Sequence, residues 1–194
     1  SAGRCSAAAK SPLTGYWGES NCGGHLGPQI KRAGFDSIVI TGKAEKPIYL
    51  WITDGKVEIR DATEFWQTDT VETTDAIKEE VGDLRATVAA IGSAGENLVR
   101  YACILNDKHA AFGRCGLGAV MGSKNLKAVV VRGTLSPPIA HPDELKDLYQ
   151  DILKQIMDAP FTQTNSEDGQ AASVVPREEN GLLPMKNWKQ DRWT

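Results

Sequence analysis

The 194-residue chain carries 22 Lys+Arg against 25 Asp+Glu, a net charge of −3, and 41% of its residues are hydrophobic. These values belong to an ordinary folded domain and exclude a disordered or fibrous chain. The slightly acidic balance gives no electrostatic footprint for nucleic acid or an anionic membrane surface, and no apolar run approaches the roughly 18 residues that span a bilayer.

The sequence opens on Ser-Ala-Gly-Arg, with no initiator Met and no signal core, and stops at Asp191-Arg192-Trp193-Thr194. Both ends read as cut, so a piece of a longer polypeptide is expected. In chain order, Arg4 to Ala9 is a candidate buried strand of small residues, and Lys10-Ser11-Pro12-Leu13-Thr14-Gly15 is a turn. Ser20-Asn21-Cys22-Gly23-Gly24 reads as a small-residue loop leading to a helix over Leu26 to Ala33, closed by Gly34.

Strands are expected at Ser37 to Thr41, Pro47 to Thr53 and Lys56 to Arg60, the last two joined by the hairpin signal Asp54-Gly55. Thr70 to Val81 has helical periodicity and ends at Gly82. Ala86 to Ile91 is a buried strand, 92 to 97 a second glycine loop, and Leu98 to Leu105 another strand. Gly113-Arg114-Cys115-Gly116-Leu117-Gly118-Ala119-Val120-Met121-Gly122 is a third glycine-rich segment, followed by a strand over Lys127 to Arg132.

Pro137-Pro138 breaks the chain, and a helix from Asp143 to Met157 follows, with Leu145, Leu148, Ile152 and Ile156 at helical spacing. A boundary is therefore expected near Ser136 to Ala140, with residues 1–136 as one domain and 137–194 as the start of a mainly helical one. Residues 162 to 180 read as polar and partly loop. Consecutive strands with few helices predict an α+β fold, two packed β-sheets with short helices, and not a doubly wound parallel sheet.

Cys5, Cys22, Cys103 and Cys115 show no CxxC spacing, and nothing marks secretion, so four free thiols in a reducing, cytoplasmic setting are expected. His25, His109 and His141 have no partner at metal-ligand spacing. Ser11, Ser20 and Cys22 lack any cue for a catalytic base, and no catalytic acid, base or nucleophile is assigned. Gly116-x-Gly118-x-x-x-Gly122 differs from a dinucleotide fingerprint in spacing and is expected to lack the strand before it, the helix after it and the acidic residue beyond.

The three glycine loops, two with an arginine close by (Arg4 and Arg114), would let a ligand approach the backbone, and they suit a phosphate or a polar heterocycle. The alternative is that the glycines simply make tight turns.

Lys10-Ser11-Pro12-Leu13-Thr14-Gly15 with Asn21-Cys22-Gly23-Gly24, the stretch from Ile38 to Trp51 including Gly42-Lys43-Ala44-Glu45-Lys46-Pro47, Ile91 to Val99, Gly113 to Lys127 and Glu179-Asn180-Gly181-Leu182 follow one another in an order that resembles the N-terminal part of the aldehyde ferredoxin oxidoreductase family. The resemblance implies a tungsten (or molybdenum) enzyme. Two pterin dithiolenes hold the metal, magnesium bridges the pterin phosphates, and a [4Fe–4S] cluster is ligated beyond these residues.

It implies oxidation of aldehydes to carboxylic acids with ferredoxin as acceptor. Reduction of an aromatic acyl thioester is the alternative within the family, and a scaffold that has lost the cofactor is the alternative outside it. Whether the protein forms a homo-oligomer or joins a multi-subunit complex stays open.

By the same resemblance, Arg4 lies between pterin and cluster. Asn21 and Gly23 contact the pterin, and Ala111, Gly113 and Arg114 form a second contact loop. The carbonyls of Asn21 and Ala111 are the implied protein ligands of magnesium. Ala110 stands where some relatives have Arg, and Cys22 and Cys115 are read as small fillers.

Overall fold

The computed structural model describes residues 3–190. Strands β1 (Cys5–Lys10) and β2 (Trp17–Cys22) form an antiparallel hairpin, with Cys5 opposite Cys22 and Lys10 opposite Trp17. The turn between them closes through Ser11, whose N–H donates to the Tyr16 carbonyl at 2.9 Å, and through Gly15 at φ +71°.

Six further strands make the main sheet: β3 (Ile48–Thr53), β4 (Lys56–Asp61), β5 (Thr87–Ala90), β6 (Ile104–Asn106), β7 (Ala110–Phe112) and β8 (Leu126–Arg132). Their order is β4-β3-β8-β5-β6-β7, and only β3 and β8 run parallel. Helices α1 (Leu26–Arg32), α2 (Thr70–Glu80), α3 (Ser93–Glu96) and α4 (Leu117–Ser123) connect them, with a short 3-10 turn at Thr63–Phe65. The fold is thus α+β with two sheets and short helices.

Strand alternation divides the core in two. Leu50, Ile52, Ala89, Ile104, Phe112 and Val131 turn to one side, where Leu26 of α1, Leu117 and Met121 of α4, and the inward hairpin residues Cys5, Ala7, Ala9 and Cys22 meet them. Tyr49, Trp51, Val88, Ala90 and Val130 turn to the other, against Phe65 and Ile77 of α2. The hairpin meets the sheet through small side chains, each burying less apolar surface than a Leu, Ile or Val, which contributes about 1.5–3 kcal/mol when fully buried.

Local signals set the helix ends. Asp69 caps α2, its carboxylate accepting from the N–H groups of Val71 and Glu72. Gly34, at φ +92°, follows α1, and the Phe35 N–H returns to the Ile30 carbonyl at 3.1 Å, so the left-handed glycine closes the last turn.

Several expectations are corrected. Of the loop expected over Ser20 to Gly24, Ser20, Asn21 and Cys22 belong to a strand, β2 (Trp17–Cys22). Its inward positions are Gly18, Ser20 and Cys22, too small to give an apolar alternation, and the strand is held by pairing with β1. Ser37 to Thr41 joins no strand: Ile38 and Ile40 pack on the core while Val39 is 85% exposed. Of the strand expected over 98–105 only Ile104 and Leu105 lie in β6, because the chain leaves α3 through Leu98 at φ +56°. The second and third glycine segments hold α3 and α4, so a strand (β7) precedes and a helix follows the third one after all.

The chain divides into two compact units, one ending at Pro137 and one beginning at Pro138. The second unit contains α5 (Pro142–Asp158), α6 (Pro160–Asp168), a 3-10 turn (Gly169–Ser173) and α7 (Val174–Glu179), so residues 162–179 are helical where a partly loop segment was expected. No helix among the described residues is long and apolar enough to cross a membrane.

Candidate cofactor-binding face

The hairpin register sorts its side chains. Ser6, Ala8, Glu19 and Asn21 point outward and are exposed, whereas Gly18, Ser20 and Cys22 point inward and are buried. Ser6 Oγ donates to Asn21 Oδ1 at 2.8 Å, fixing the Asn21 amide across the strand pair. Arg4 immediately precedes Cys5, the partner of Cys22, so Arg4 and Gly23 leave the same end of the hairpin. Arg4 is exposed and Gly23 half-buried.

The second segment expected at the site runs out of β7. Ala111 is half-buried, and Gly113 and Arg114 are exposed. Cys115 and Gly116 then both take φ +69°, a double left-handed turn that starts α4. Two contacts bring this segment to the hairpin. Asn106 Nδ2, on the strand beside β7, donates to the Gly23 carbonyl at 2.9 Å, and Cys115 Sγ donates to the Glu19 carbonyl at 3.4 Å. The fold therefore places the end of β2, with Asn21 and Gly23, beside the segment from β7 into α4 that carries Ala111, Gly113 and Arg114.

The glycines fall into two groups. A Cβ on Gly116 would sit 2.1 Å from the Arg100 carbonyl oxygen, on Gly118 2.4 Å from that of Cys103, and on Gly122 2.0 Å from that of Gly95. These three make room for the protein's own backbone, which removes any remaining case for a dinucleotide turn. Around Gly23 and Gly113 the same construction meets nothing within 4 Å. Their backbones face open space beside Arg4 and Arg114, an arrangement that fits a bulky anionic ligand lying on the surface.

A groove of about 760 Å³ runs along the free edge of β1, lined among others by Ala7, Ala9, Leu26, Ile40 and Phe112. Arg4 reaches it, but Asn21, Gly23, Ala111, Gly113 and Arg114 do not. Its lining is mostly apolar, with Arg4, Lys31, Asp36 and Lys124 among the charged residues, and it takes in none of the other residues expected at the site.

Burial and the neighbouring Cys22 thiol push the Cys5 thiol up, and burial pushes the Cys22 thiol up despite the Asn106 amide beside it. Both are held as protonated fillers, not as thiolates ready for metal. No cluster of three or more His, Cys, Asp or Glu with metal-binding geometry occurs among the described residues. Sequence reasoning missed Asn106. Its only signal was a polar residue closing the apolar run Ile104-Leu105.

The model of the aldehyde ferredoxin oxidoreductase N-terminal domain matches residues 1–133. The chain belongs to this family. It is 45% identical over 188 residues to the tungsten-containing aldehyde ferredoxin oxidoreductase of Pyrococcus furiosus, which covers 96% of this chain and 31% of that relative. It is 32% identical over 203 residues to the WOR-like subunit of an aliphatic sulfonate oxidoreductase from the same organism, covering 97% of this chain and 32% of the relative.

Among solved structures, the active site complex BamBC of benzoyl coenzyme A reductase, with bound 1,5-dienoyl-CoA, superposes with a TM-score of 0.78 at 41% identity over 86% of this chain and 24% of that one. The chain thus spans about a third of the length of the curated family members it matches. Close relatives are named oxidoreductases, and this chain corresponds to the N-terminal part of such an enzyme.

Proposed function

We propose that this chain forms the base on which a tungsten (or molybdenum) bis-pterin lies in an enzyme that oxidises aldehydes to carboxylic acids. The observation carrying this reading is the adjacency of two open backbone segments, 21–23 and 111–114, each with an exposed arginine close by. We assign no acid, base or nucleophile for the reaction among the described residues, and the part proposed for the chain is binding and electrostatics.

Arg114 supplies a fixed positive charge and a planar fork to a phosphate or pterin oxygen. Gly23 and Gly113 let the ligand reach backbone N–H groups. Carbonyls of Asn21 and Ala111 would be the hard oxygen donors for a magnesium ion bound with the cofactor. Arg4, at the hairpin end, would supply a permanent positive charge beside that cofactor, suited to electron transfer toward an iron–sulfur cluster. When bound, the metal would supply the two-electron step RCHO + H2O → RCOOH + 2H⁺ + 2e⁻, with ferredoxin taking the electrons.

A second reaction, reduction of an aromatic acyl thioester within a multi-subunit complex, is favoured by the likeness to benzoyl coenzyme A reductase. The deciding experiment is metal and pterin analysis of the intact protein from a host that makes the cofactor, followed by assays of aldehyde-dependent ferredoxin reduction and of thioester reduction. One tungsten or molybdenum per chain with aldehyde activity is expected. Thioester activity alone would select the second reaction. A protein without either metal would leave a scaffold.

A further inference from the structure

Asn106 is buried to 1% exposure, and its two amide atoms are used unequally. Nδ2 donates to the Gly23 carbonyl at 2.9 Å, whereas Oδ1 has no hydrogen-bond partner among the described residues. Keeping a half-satisfied carboxamide in an interior costs more than an apolar residue of the same size, so its one bond needs a reason.

The surroundings supply one. Asn106 stands opposite Ala89 of β5 and Ala110 of β7, and the next pair along the β6–β7 ladder is Leu105 with Ala111. The turn beyond it is anchored: the Asp107 N–H donates to the Val88 carbonyl at 2.9 Å, and Asp107 pairs with Lys78 of α2 at 3.1 Å. Asn106 therefore belongs to a rigid frame. Asn21 and Cys22 are held by pairing with Ser6 and Cys5 of β1, but Gly23 and Gly24 lie beyond that ladder, and it is there that the amide grips the chain. Gly24 runs at φ +85°, and a Cβ there would come within 2.7 Å of Asn106 Nδ2, so the chain bends tightly around this amide.

We propose that Asn106 is a positioning residue. Its amide sets the distance between Gly23, where the chain leaves β2, and the Ala111–Arg114 segment, so that both can engage one cofactor. This rests on the reading of that face as the pterin site. Fixing the geometry in advance removes an ordering cost from cofactor binding, and releasing the loop restores it.

The test uses the intact protein, loaded in a host that makes the cofactor. Wild-type metal and pterin content is measured first. If it is nil, the site reading itself fails, and the role of Asn106 falls with it. Asn106→Leu keeps the side-chain size and removes the clamp. Asn125→Leu is the control: Asn125 Nδ2 donates to the Ala44 carbonyl at 2.7 Å, a similar amide-to-backbone clamp that touches neither loop.

Asn106→Leu should lower metal and pterin per folded chain by roughly tenfold or more at limiting cofactor, the size expected for a lost buried hydrogen bond. It should also change the electron paramagnetic resonance signal of whatever metal remains. Asn125→Leu should lower the melting temperature yet leave content and signal as in wild type.

Asn106→Asp gives a conservative rescue. A buried carboxyl is protonated more readily than an exposed one, and its O–H can replace the amide donor. Retention should recover at low pH and fall as pH rises. Unchanged content and signal in Asn106→Leu would overturn the proposal. So would equal losses in Asn106→Leu and Asn125→Leu at matched melting temperature, since that is what a purely structural amide gives.

Discussion

Lys127 and Glu96 form an ion pair in the interior, with side-chain exposures of 0% and 3%. Lys127 Nζ also donates to the Thr68 carbonyl at 2.9 Å, and the second Glu96 oxygen accepts from the Gln67 N–H at 2.9 Å. The pair lies where β8 shifts register against β3, between Leu126 and Ala128. It ties α3 and the turn ahead of α2 to the middle of the sheet. Removing one member strands the other charge in a medium that cannot solvate it. Lys127→Met or Glu96→Gln should therefore each cost about 3–5 kcal/mol in urea unfolding at neutral pH, and the double replacement less than the sum. Single variants within 1 kcal/mol of wild type, on the order of measurement error plus surface effects, would contradict this.

Asp83 gives a pH-dependent contribution. Partial burial pulls its carboxyl up, but the Arg85 N–H and the Arg132 guanidinium outweigh that and hold it below the ordinary value of 3.8. Arg132 Nε donates to Asp83 Oδ2 at 2.8 Å, bracing the end of β8. A folded-state value below the unfolded one means stability that is present above the unfolded value and lost as pH falls through the folded one. Asp83→Asn should cost about 1 kcal/mol near neutral pH, and the gap to wild type should shrink on acidification below the ordinary carboxylate range. Denaturant midpoints measured across pH check the sign. A gap that widens in acid would refute the assignment.

The two kinds of glycine should separate stability from binding. Gly116→Ala meets both a left-handed backbone and the Arg100 carbonyl at 2.1 Å, and it should lower stability by about 2–3 kcal/mol or prevent folding. Gly113→Ala meets nothing within 4 Å and should leave the melting temperature near wild type while reducing cofactor content of the intact protein. Thermal unfolding and metal analysis of the same preparations distinguish them. Equal melting temperatures for the two variants would remove the distinction.

Arg114 and Arg4 should differ as well. Arg114 follows a glycine whose backbone is open, whereas Arg4 sits at the hairpin end. Arg114→Ala should lower metal and pterin content, the loss of a charge-assisted contact being worth about 1.5–3 kcal/mol, roughly 10- to 150-fold in affinity. Arg4→Ala should keep more cofactor and slow electron delivery to ferredoxin per metal bound. Full metal in Arg114→Ala together with loss in Arg4→Ala would reverse the two roles.

The strands that alternate or run apolar were legible in the sequence: Pro47 to Thr53, Lys56 to Arg60 and Lys127 to Arg132 lie on β3, β4 and β8, and Asp54-Gly55 is the turn. Helix α2 was legible from its periodicity and from Gly82 beyond its end, whereas its cap, Asp69, was not read. What escaped was structure that only tertiary contact stabilises. Trp17–Cys22 has no apolar face of its own and becomes a strand through β1. Helix α4 carries glycines that disfavour a free helix but let it approach the Cys103 and Gly95 carbonyls.

At the candidate site, Gly113 and Gly23 were singled out by family likeness, not by local pattern. Nothing in their spacing separates them from Gly118 and Gly122, whose space is already filled by backbone. The pairing of the two loops through Asn106 depends on strands far apart in the chain, which no local pattern reveals.

Strand β8 lies between β3 and β5, pairing with both, yet it is the last strand of the sheet to be synthesised. A nascent chain that has left the ribosome only as far as Lys124 holds two separate half-sheets, β4-β3 and β5-β6-β7, each with an open inner edge. Both edges carry apolar residues, Leu50 and Ile52 on one and Val88 and Ala90 on the other. Arrival of Leu126 to Arg132 closes both in one event, so the sheet behaves as an arch completed by its keystone. Until then the half-made protein offers two sticky borders, and a slow codon or premature stop just before β8 would deliver an aggregating product rather than a smaller working one.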